Sequence, residues 1–331
     1  MHGYRRFCNK IYQATKYVLG KLPADFTPLP LGNIKSGQGS LAELWILHKF
    51  TLTADEVNKA LASREFSKAT QATYAYWYDY LCDVFIENSK SIIQNGRLEE
   101  QHSVQQTLYT ALDGGLTLLH PFMPFVTEEL WQRLPRRPDD TTPSIVKARY
   151  PQYVAEYESS KSAEDYELVM TISKAVRSLA AQYGIIDNAN VFIVLSDTQT
   201  RAMCKAELAA IKSLCGKAMY GDSANIQFLG DKDVNPAGCV VAPINATTAV
   251  HLVVKGRIDI DAEIRKADGR LEKANETIKR VKDFMAGERW EKMRAKNPAA
   301  QTLEKERLEN AEKEAEVMQA SIAQFEKLKL E

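Results

Sequence analysis

The sequence predicts a mainly α-helical protein built from a helical bundle, a small α/β domain and a C-terminal antiparallel coiled-coil hairpin. Residues 1–150 hold most of the aromatic side chains, and their apolar residues recur at helical spacing. Residues 151–257 alternate helical patterns with short extended runs separated by Gly, Asp and Pro. Residues 258–331 are highly charged, and their apolar residues are spaced alternately three and four apart, as in coiled coils.

The first segment is expected to form a bundle of four to five antiparallel helices, because its helical patterns are long and mostly joined by short loops. The predicted helices cover residues 4–20, 41–61, 67–93, 104–120 and 128–134. Pro121 and Pro124 break the fourth pattern. Thr127 is the predicted N-cap of the last helix, whose first turn holds Glu128 and Glu129, where the helix dipole favours carboxylates.

The middle segment is expected to hold a mostly antiparallel sheet. Its helical patterns cover residues 164–181 and 201–215. The extended runs cover residues 191–195, 225–229, 239–243 and 249–254. Turn-forming residues between these runs indicate a small α/β domain.

The last segment contains two series of apolar residues with coiled-coil spacing, here called the seam. The first series is Ile264, Ala267, Leu271, Ala274, Ile278, Val281 and Met285. The second is Leu308, Ala311, Ala315, Met318, Ile322 and Phe325. Gly and Pro interrupt the pattern over residues 287–298, which favours a chain that folds back as an antiparallel hairpin.

Composition excludes several classes of protein. The 331 residues have zero net charge, so a nucleic-acid site would have to be a local basic surface. Five cysteines without a Cys-x-x-Cys pair argue against a zinc site or a disulfide framework, and favour a reducing compartment. Neither a membrane span nor a leader pattern is visible, so we expect a cytoplasmic protein without a membrane partner.

Four motifs, in order, resemble one family. Residues 118–131, with the form His-Pro-Phe-Met-Pro-Phe, are similar to the closing helix pair of the anticodon-binding domain of class I synthetases, in the version of the valine enzyme. Residues 3–10 resemble the helix after the catalytic core, and residues 77–90 the central bundle helix. Residues 144–146, before Tyr150 and Pro151, resemble the strand that closes the domain.

Together with a hairpin similar to the tRNA-contacting arm of these enzymes, the motifs resemble the C-terminal part of eukaryotic-type cytosolic valyl-tRNA synthetases. The resemblance implies a valine-specific tRNA as partner and ATP as a substrate of the full-length enzyme. The chain lacks the His-x-Gly-His and Lys-Met-Ser-Lys-Ser elements that handle ATP. We therefore expect a monomeric piece that begins after the catalytic core, with no catalytic residue, cofactor or metal of its own.

Candidate tRNA contacts lie in the first helix and at the tip of the hairpin. Cationic groups contact phosphates, and an amide can donate to and accept from a base. The candidates in the helix are Arg5, Arg6, Asn9, Lys10 and Lys16. Those at the tip are Arg289, Trp290, Lys292, Arg294 and Lys296. The alternative for each set is a solvated charged surface.

A second group of candidates lies in the third helix. Its aromatic run, of which Trp77 and Tyr78 are predicted to be core, could present one or two rings to bases: Tyr74, Tyr76, Trp77, Tyr78 and Tyr80. Its acidic series can pair with Lys90 or serve a catalytic or metal site: Asp79, Asp83 and Glu87. Two other hypotheses for the whole chain stay open, a coiled-coil scaffold that tethers subunits and an enzyme with an unrecognised site.

Overall fold

The computed structural model describes residues 2–30, 39–230, 233, 236–287, 290 and 298–330. The chain forms two compact units. The first comprises Met1–Lys174 and Asp197–Gly216, and the second comprises Ala175–Ser196 and Lys217–Glu331. The boundaries of these two units differ from those of the three predicted segments. The predicted boundaries stay a prediction.

The first unit is helical, as predicted. Its helices are α1 (His2–Leu19), α2 (Leu41–Ala62), α3 (Phe66–Ala75), a π-helical segment (Tyr76–Phe85), α4 (Ile86–Asn95), α5 (Leu98–Leu119), α6 (Pro124–Trp131), the start of α7 (Ser160–Gln182), α8 (Thr198–Ala206) and α9 (Leu208–Cys215). Large side chains from α1, α2, the π-helical segment and α5 are fully buried, and they form the core of this unit.

The π-helical segment changes which aromatic residues are buried. Tyr76 and Trp77 have no exposed surface, and the next buried residue after Tyr76 and Trp77 is Leu81. A step of five residues between Tyr76 and Leu81 on one face matches the wider turn of a π-helix. The prediction of Trp77 as core is therefore confirmed, whereas that of Tyr78 is wrong, because Tyr78 is only half-buried.

Two local predictions near the end of the bundle are wrong. The last bundle helix begins at Pro124, so Thr127 lies inside it and its hydroxyl donates to the carbonyl oxygens of Met123 and Pro124. Residues 145–147 form a single 3-10 turn instead of a strand. The Glu128 carboxylate holds this turn, since it accepts from the Ile145 backbone N–H at 3.1 Å.

The second unit contains a four-stranded mixed sheet with the order β2-β1-β4-β3. Its strands are β1 (Asn190–Leu195), β2 (Asn225–Leu229), β3 (Cys239–Asn245) and β4 (Thr248–Val253). The pairs β1–β4 and β3–β4 are antiparallel, which confirms the mostly antiparallel prediction. The pair β1–β2 is parallel, and the long connection between these strands provides the length that a parallel pair requires.

The same unit contains two long helices, α10 (Ile260–Met285) and α11 (Pro298–Leu330). They run antiparallel, because Asp261 pairs with Lys329 at 2.6 Å and Lys282 pairs with Glu312 at 2.7 Å. Small seam residues are buried between them: Ala267, Ala274, Ala311 and Ala315. The antiparallel arrangement does not conflict with the predicted coiled-coil hairpin, which stays a prediction. No helix in the described part of the chain is both long and apolar enough to cross a membrane.

Candidate nucleic-acid interface

Helix α1 has one buried and one polar face. Phe7, Ile11, Ala14 and Val18 recur every three to four residues and are buried in the bundle. The predicted tRNA contacts on the opposite side are exposed: Arg5, Arg6, Asn9 and Lys16. The three cations Arg5, Arg6 and Lys16 form no ion pair with a described residue, so their charge is available to a phosphate.

The remaining candidate of α1, Lys10, lies in a different environment. Its Nζ lies 2.6 Å from Oδ1 of Asp83 and 3.1 Å from the ring centroid of Tyr78. Burial lowers the pKa of Lys10, but the hydrogen bond and the negative charge of Asp83 outweigh it, so the pKa is raised above its ordinary value. Lys10 is therefore a cation already paired with a carboxylate and an aromatic face.

Two tyrosines near Lys10, the exposed Tyr74 and the half-buried Tyr78, are stacked on each other. The rings of Tyr74 and Tyr78 are nearly parallel, with centroids 5.3 Å apart, and the ring centroid of Phe7 lies 4.8 Å from that of Tyr74. The column of contacts Phe7–Tyr74–Tyr78–Lys10 therefore occupies ring surface on which a base could otherwise stack. The column attaches α1 to the π-helical segment.

A second lysine, Lys90 of α4, lies near the ring of Tyr17 in α1. Lys90 Nζ lies 2.6 Å from Oε1 of Glu87 and 5.8 Å from the ring centroid of Tyr17. Burial raises the pKa of the Tyr17 hydroxyl. We call Lys10, Tyr17, Asp83, Glu87 and Lys90 together the α1–α4 surface. The predicted pairing of the acidic series with Lys90 holds for Glu87, whereas Asp83 pairs with Lys10 on another helix.

The α1–α4 surface contains two lysines, which donate hydrogen bonds, and two carboxylates, which accept them. Its formal net charge is therefore zero. No group of three or more His, Cys, Asp or Glu in the described residues could hold a metal ion. Sequence analysis did not select Tyr17 as a site residue, because its spacing fits an ordinary apolar face. The proximity of Tyr17 to Lys90 depends on tertiary packing, which no local pattern shows.

At the tip of the hairpin, four of the five candidates lie outside the described residues: Arg289, Lys292, Arg294 and Lys296. Trp290 is described and is only 7% exposed. Its ring packs edge to face on Phe284 at 6.0 Å, and its backbone N–H donates to the Gly287 carbonyl oxygen at 3.0 Å. A stacking role for Trp290 would require the ring to leave this position, and that role stays a prediction.

Part of the chain matches a known family of domains. Residues 43–195 match the family described as the anticodon-binding domain of tRNA ligase. Residues 43–195 are therefore similar to the anticodon-binding domain of tRNA ligases.

Its similarity to curated proteins extends along the whole chain. It is 43% identical over 330 residues to the mitochondrial valine--tRNA ligase of Saccharomyces cerevisiae, which covers 100% of this chain and 29% of that protein. It is 43% identical over 234 residues to the valine--tRNA ligase of Schizosaccharomyces pombe, with 71% and 24% covered. For the human valine--tRNA ligase, identity is 32% over 329 residues, with 98% and 25% covered.

The chain thus spans less than a third of the length of these relatives. It is similar, along its whole length, to a portion of these valine--tRNA ligases, and residues 43–195 match the anticodon-binding family.

Proposed function

We propose that this chain is the C-terminal, tRNA-binding portion of a valine--tRNA ligase, which as a full-length enzyme attaches valine to its tRNA with ATP. The observation that carries the proposal is the similarity to valine--tRNA ligases over the whole chain, together with the match to the anticodon-binding domain. The ATP-handling elements are not in this sequence, so the isolated chain should show no valine-dependent pyrophosphate exchange.

Phosphate contacts are assigned to the unpaired cations of α1. Arg5, Arg6 and Lys16 are exposed along this helix without an ion-pair partner in the described residues, so a phosphate can approach each of them without displacing a carboxylate. Such contacts release counterions, and affinity then falls with salt by about 0.7–0.9 log units per contact and per log unit of salt.

Base contacts are assigned to the α1–α4 surface of the bundle. Single-stranded loop bases are recognised through hydrogen bonds to their edges and through aromatic contacts. Lys10, Asp83, Glu87 and Lys90 supply donors and acceptors beside the rings of Tyr17 and Tyr78. The helical hairpin, by contrast, offers mainly charges and would recognise tRNA shape and backbone.

The cellular setting is also part of the proposal. Five cysteines without a metal-binding pattern in the sequence fit the reducing cytoplasm, where we place a monomeric enzyme of the eukaryotic cytosolic type. One relative, from yeast, is described as mitochondrial. That description applies to the yeast protein and is not transferred to this chain.

Salt-dependent tRNA binding tests the proposed function. Titration of valine tRNA by anisotropy at several salt concentrations should give an affinity that falls steeply with salt. Replacing Arg5, Arg6 and Lys16 with Gln should lower the salt slope by about two to three units. The matched control replaces Lys59, Arg97 and Lys161, exposed cations that are each paired with a nearby carboxylate, and it should leave the slope nearly unchanged.

Two results would contradict the proposal. Absence of tRNA binding at low salt would favour the alternative, a coiled-coil scaffold that tethers subunits. An equal loss of slope in the control variant would show that binding follows total charge instead of the α1 cations.

A further inference from the structure

In both ion pairs of the α1–α4 surface, the carboxylate is more exposed than the lysine. The Asp83 side chain is 54% exposed against 24% for Lys10. The Glu87 side chain is 53% exposed against 43% for Lys90. Both carboxylate side chains are therefore accessible to an approaching RNA.

The exposure of these carboxylates has an electrostatic consequence. A phosphate approaching Lys10 or Lys90 is repelled by the neighbouring carboxylate, and it gains little because each lysine is already neutralised at 2.6 Å. The unpaired cations Arg5, Arg6 and Lys16 carry no such cost. Phosphate groups should therefore be directed to these three cations and away from the paired lysines.

A base edge has the opposite preference. Exocyclic amino groups of cytosine and adenine donate to carboxylates, and ring nitrogens and carbonyl oxygens accept from ammonium groups. Each ammonium carries three donors, and only one of those of Lys10 is bound to Asp83. A neutral base edge can therefore bind both members of a pair at once, which a phosphate cannot.

We propose that Asp83 and Glu87 are specificity-determining residues of the α1–α4 surface. They suppress phosphate contacts by Lys10 and Lys90, and they leave this surface to read the base edges of single-stranded RNA. The inference rests on the proposed function, since it assumes that the chain binds tRNA.

The substitution Asp83→Asn tests this role in the full chain. Loss of the carboxylate frees Lys10 for a phosphate, so the salt slope should become steeper by about one unit. Affinity for non-cognate tRNA should rise at low salt. The ratio of affinities for valine and non-cognate tRNA should fall by about 5-fold or more, the discrimination expected from one lost base contact.

Asp79→Asn is the matched control, because Asp79 is exposed on the same π-helical segment and forms no ion pair with a described residue. Asp79→Asn changes the net charge by the same amount as Asp83→Asn. It should leave both the salt slope and the ratio of tRNA affinities at the wild-type values. Glu87→Gln repeats the test at the second pair, and it decides the question if Asp83→Asn does not fold by circular dichroism.

The outcomes separate the two proposals. A wild-type chain that binds no tRNA overturns the proposed function. A wild-type chain that binds normally, with Asp83→Asn indistinguishable from Asp79→Asn, overturns only the role of the acids. A steeper slope with an unchanged ratio also overturns it, because the carboxylate would then only weaken binding without selecting bases.

Discussion

The indole N–H of Trp77 donates to the backbone carbonyl oxygen of Gly115 at 2.9 Å. The ring can reach the backbone of α5 because Gly115 has no side chain: a Cβ there would lie 3.0 Å from Tyr76 and 3.2 Å from Trp77. The preceding Gly114 is closer still to a ring of α2, since a Cβ would lie 2.4 Å from Phe50. Two consecutive glycines thus allow α5 to pack directly against aromatic rings from two other helices.

Gly114→Ala should therefore destabilise the first unit. The Phe50 ring is buried, so we expect a loss of about 1–3 kcal/mol in the free energy of unfolding, the usual cost of overpacking. Urea unfolding followed by tryptophan fluorescence measures it. Gly269→Ala is the control, because no atom lies within 4 Å of its Cβ position and Ala should stabilise that helix by about 0.5–1 kcal/mol. Equal effects of the two variants would refute the packing argument.

Helix positions in this fold could be predicted from the sequence because burial in most helices follows the regular 3.6-residue period. The π-helical segment could not, since its buried residues include a step of five, from Tyr76 to Leu81. A regular period assigns Tyr78 to the core in place of Tyr76. The start of α6 was also missed, because Pro124 occupies the first helical turn and Thr127 looked like a cap.

The candidate site was only partly predictable for a different reason. The exposed cations Arg5, Arg6 and Lys16 follow from the amphipathic pattern of a single helix. The partner of Lys10 lies 73 residues away, so no local spacing connects it with Asp83. The sequence instead suggested that Asp83 would pair within its own helix. Long-range pairing of this kind depends on how the helices pack.

Glu43 should be important for the stability of the bundle. Its buried carboxylate caps α2 through the Ser40 backbone N–H at 2.9 Å, and it also accepts from the hydroxyls of Ser103 at 2.6 Å and Thr107 at 3.1 Å on α5. Glu43→Ala removes the cap and leaves the Ser103 and Thr107 hydroxyls without this acceptor, so we expect a loss of about 2–4 kcal/mol in the free energy of unfolding. In the same urea assay, the exposed Glu56→Ala should stay within about 0.5 kcal/mol of wild type. A similar small effect at Glu43 would show that the carboxylate is dispensable.

Stability should also depend on pH through His48. This residue is buried, its Nδ1 accepts from the Ser159 backbone N–H at 3.2 Å, and burial, with the nearby Lys49 charge, lowers its pKa. The unfolded chain therefore takes up a proton near pH ~6.5 that the folded chain resists. The stabilising contribution is present above that pH and is lost as pH falls through the lowered pKa of the folded state.

The check compares urea midpoints of wild type and His48→Gln about one pH unit above and below pH ~6.5. The variant should lose less stability on acidification, because it lacks the titrating group. His102→Gln, which removes an exposed histidine, should follow the wild type. If His48→Gln and wild type lose the same stability, the histidine does not cause the pH dependence.

The last prediction concerns the division of labour between the bundle and the hairpin. Residues 255–296 contain thirteen Lys and Arg against nine Asp and Glu, so this half has a net charge of about +4, which attracts phosphates. Replacing Arg294 and Lys296 with Ala should lower affinity for all tRNAs and reduce the salt slope by about one to two units. The control replaces Lys305 and Lys313 of α11, where acidic residues predominate, and should have a smaller effect.

Leu271→Asp should have the same consequence by another route, because a charge at the seam would separate α10 from α11. Neither change touches the α1–α4 surface, so the ratio of affinities for valine and non-cognate tRNA should stay nearly constant. That ratio is measured at one salt concentration for wild type and both variants. It shows whether the bundle or the hairpin discriminates valine tRNA from other tRNAs. If it collapses while the bundle remains folded by circular dichroism, the hairpin reads tRNA identity, and base recognition cannot be assigned to the bundle alone.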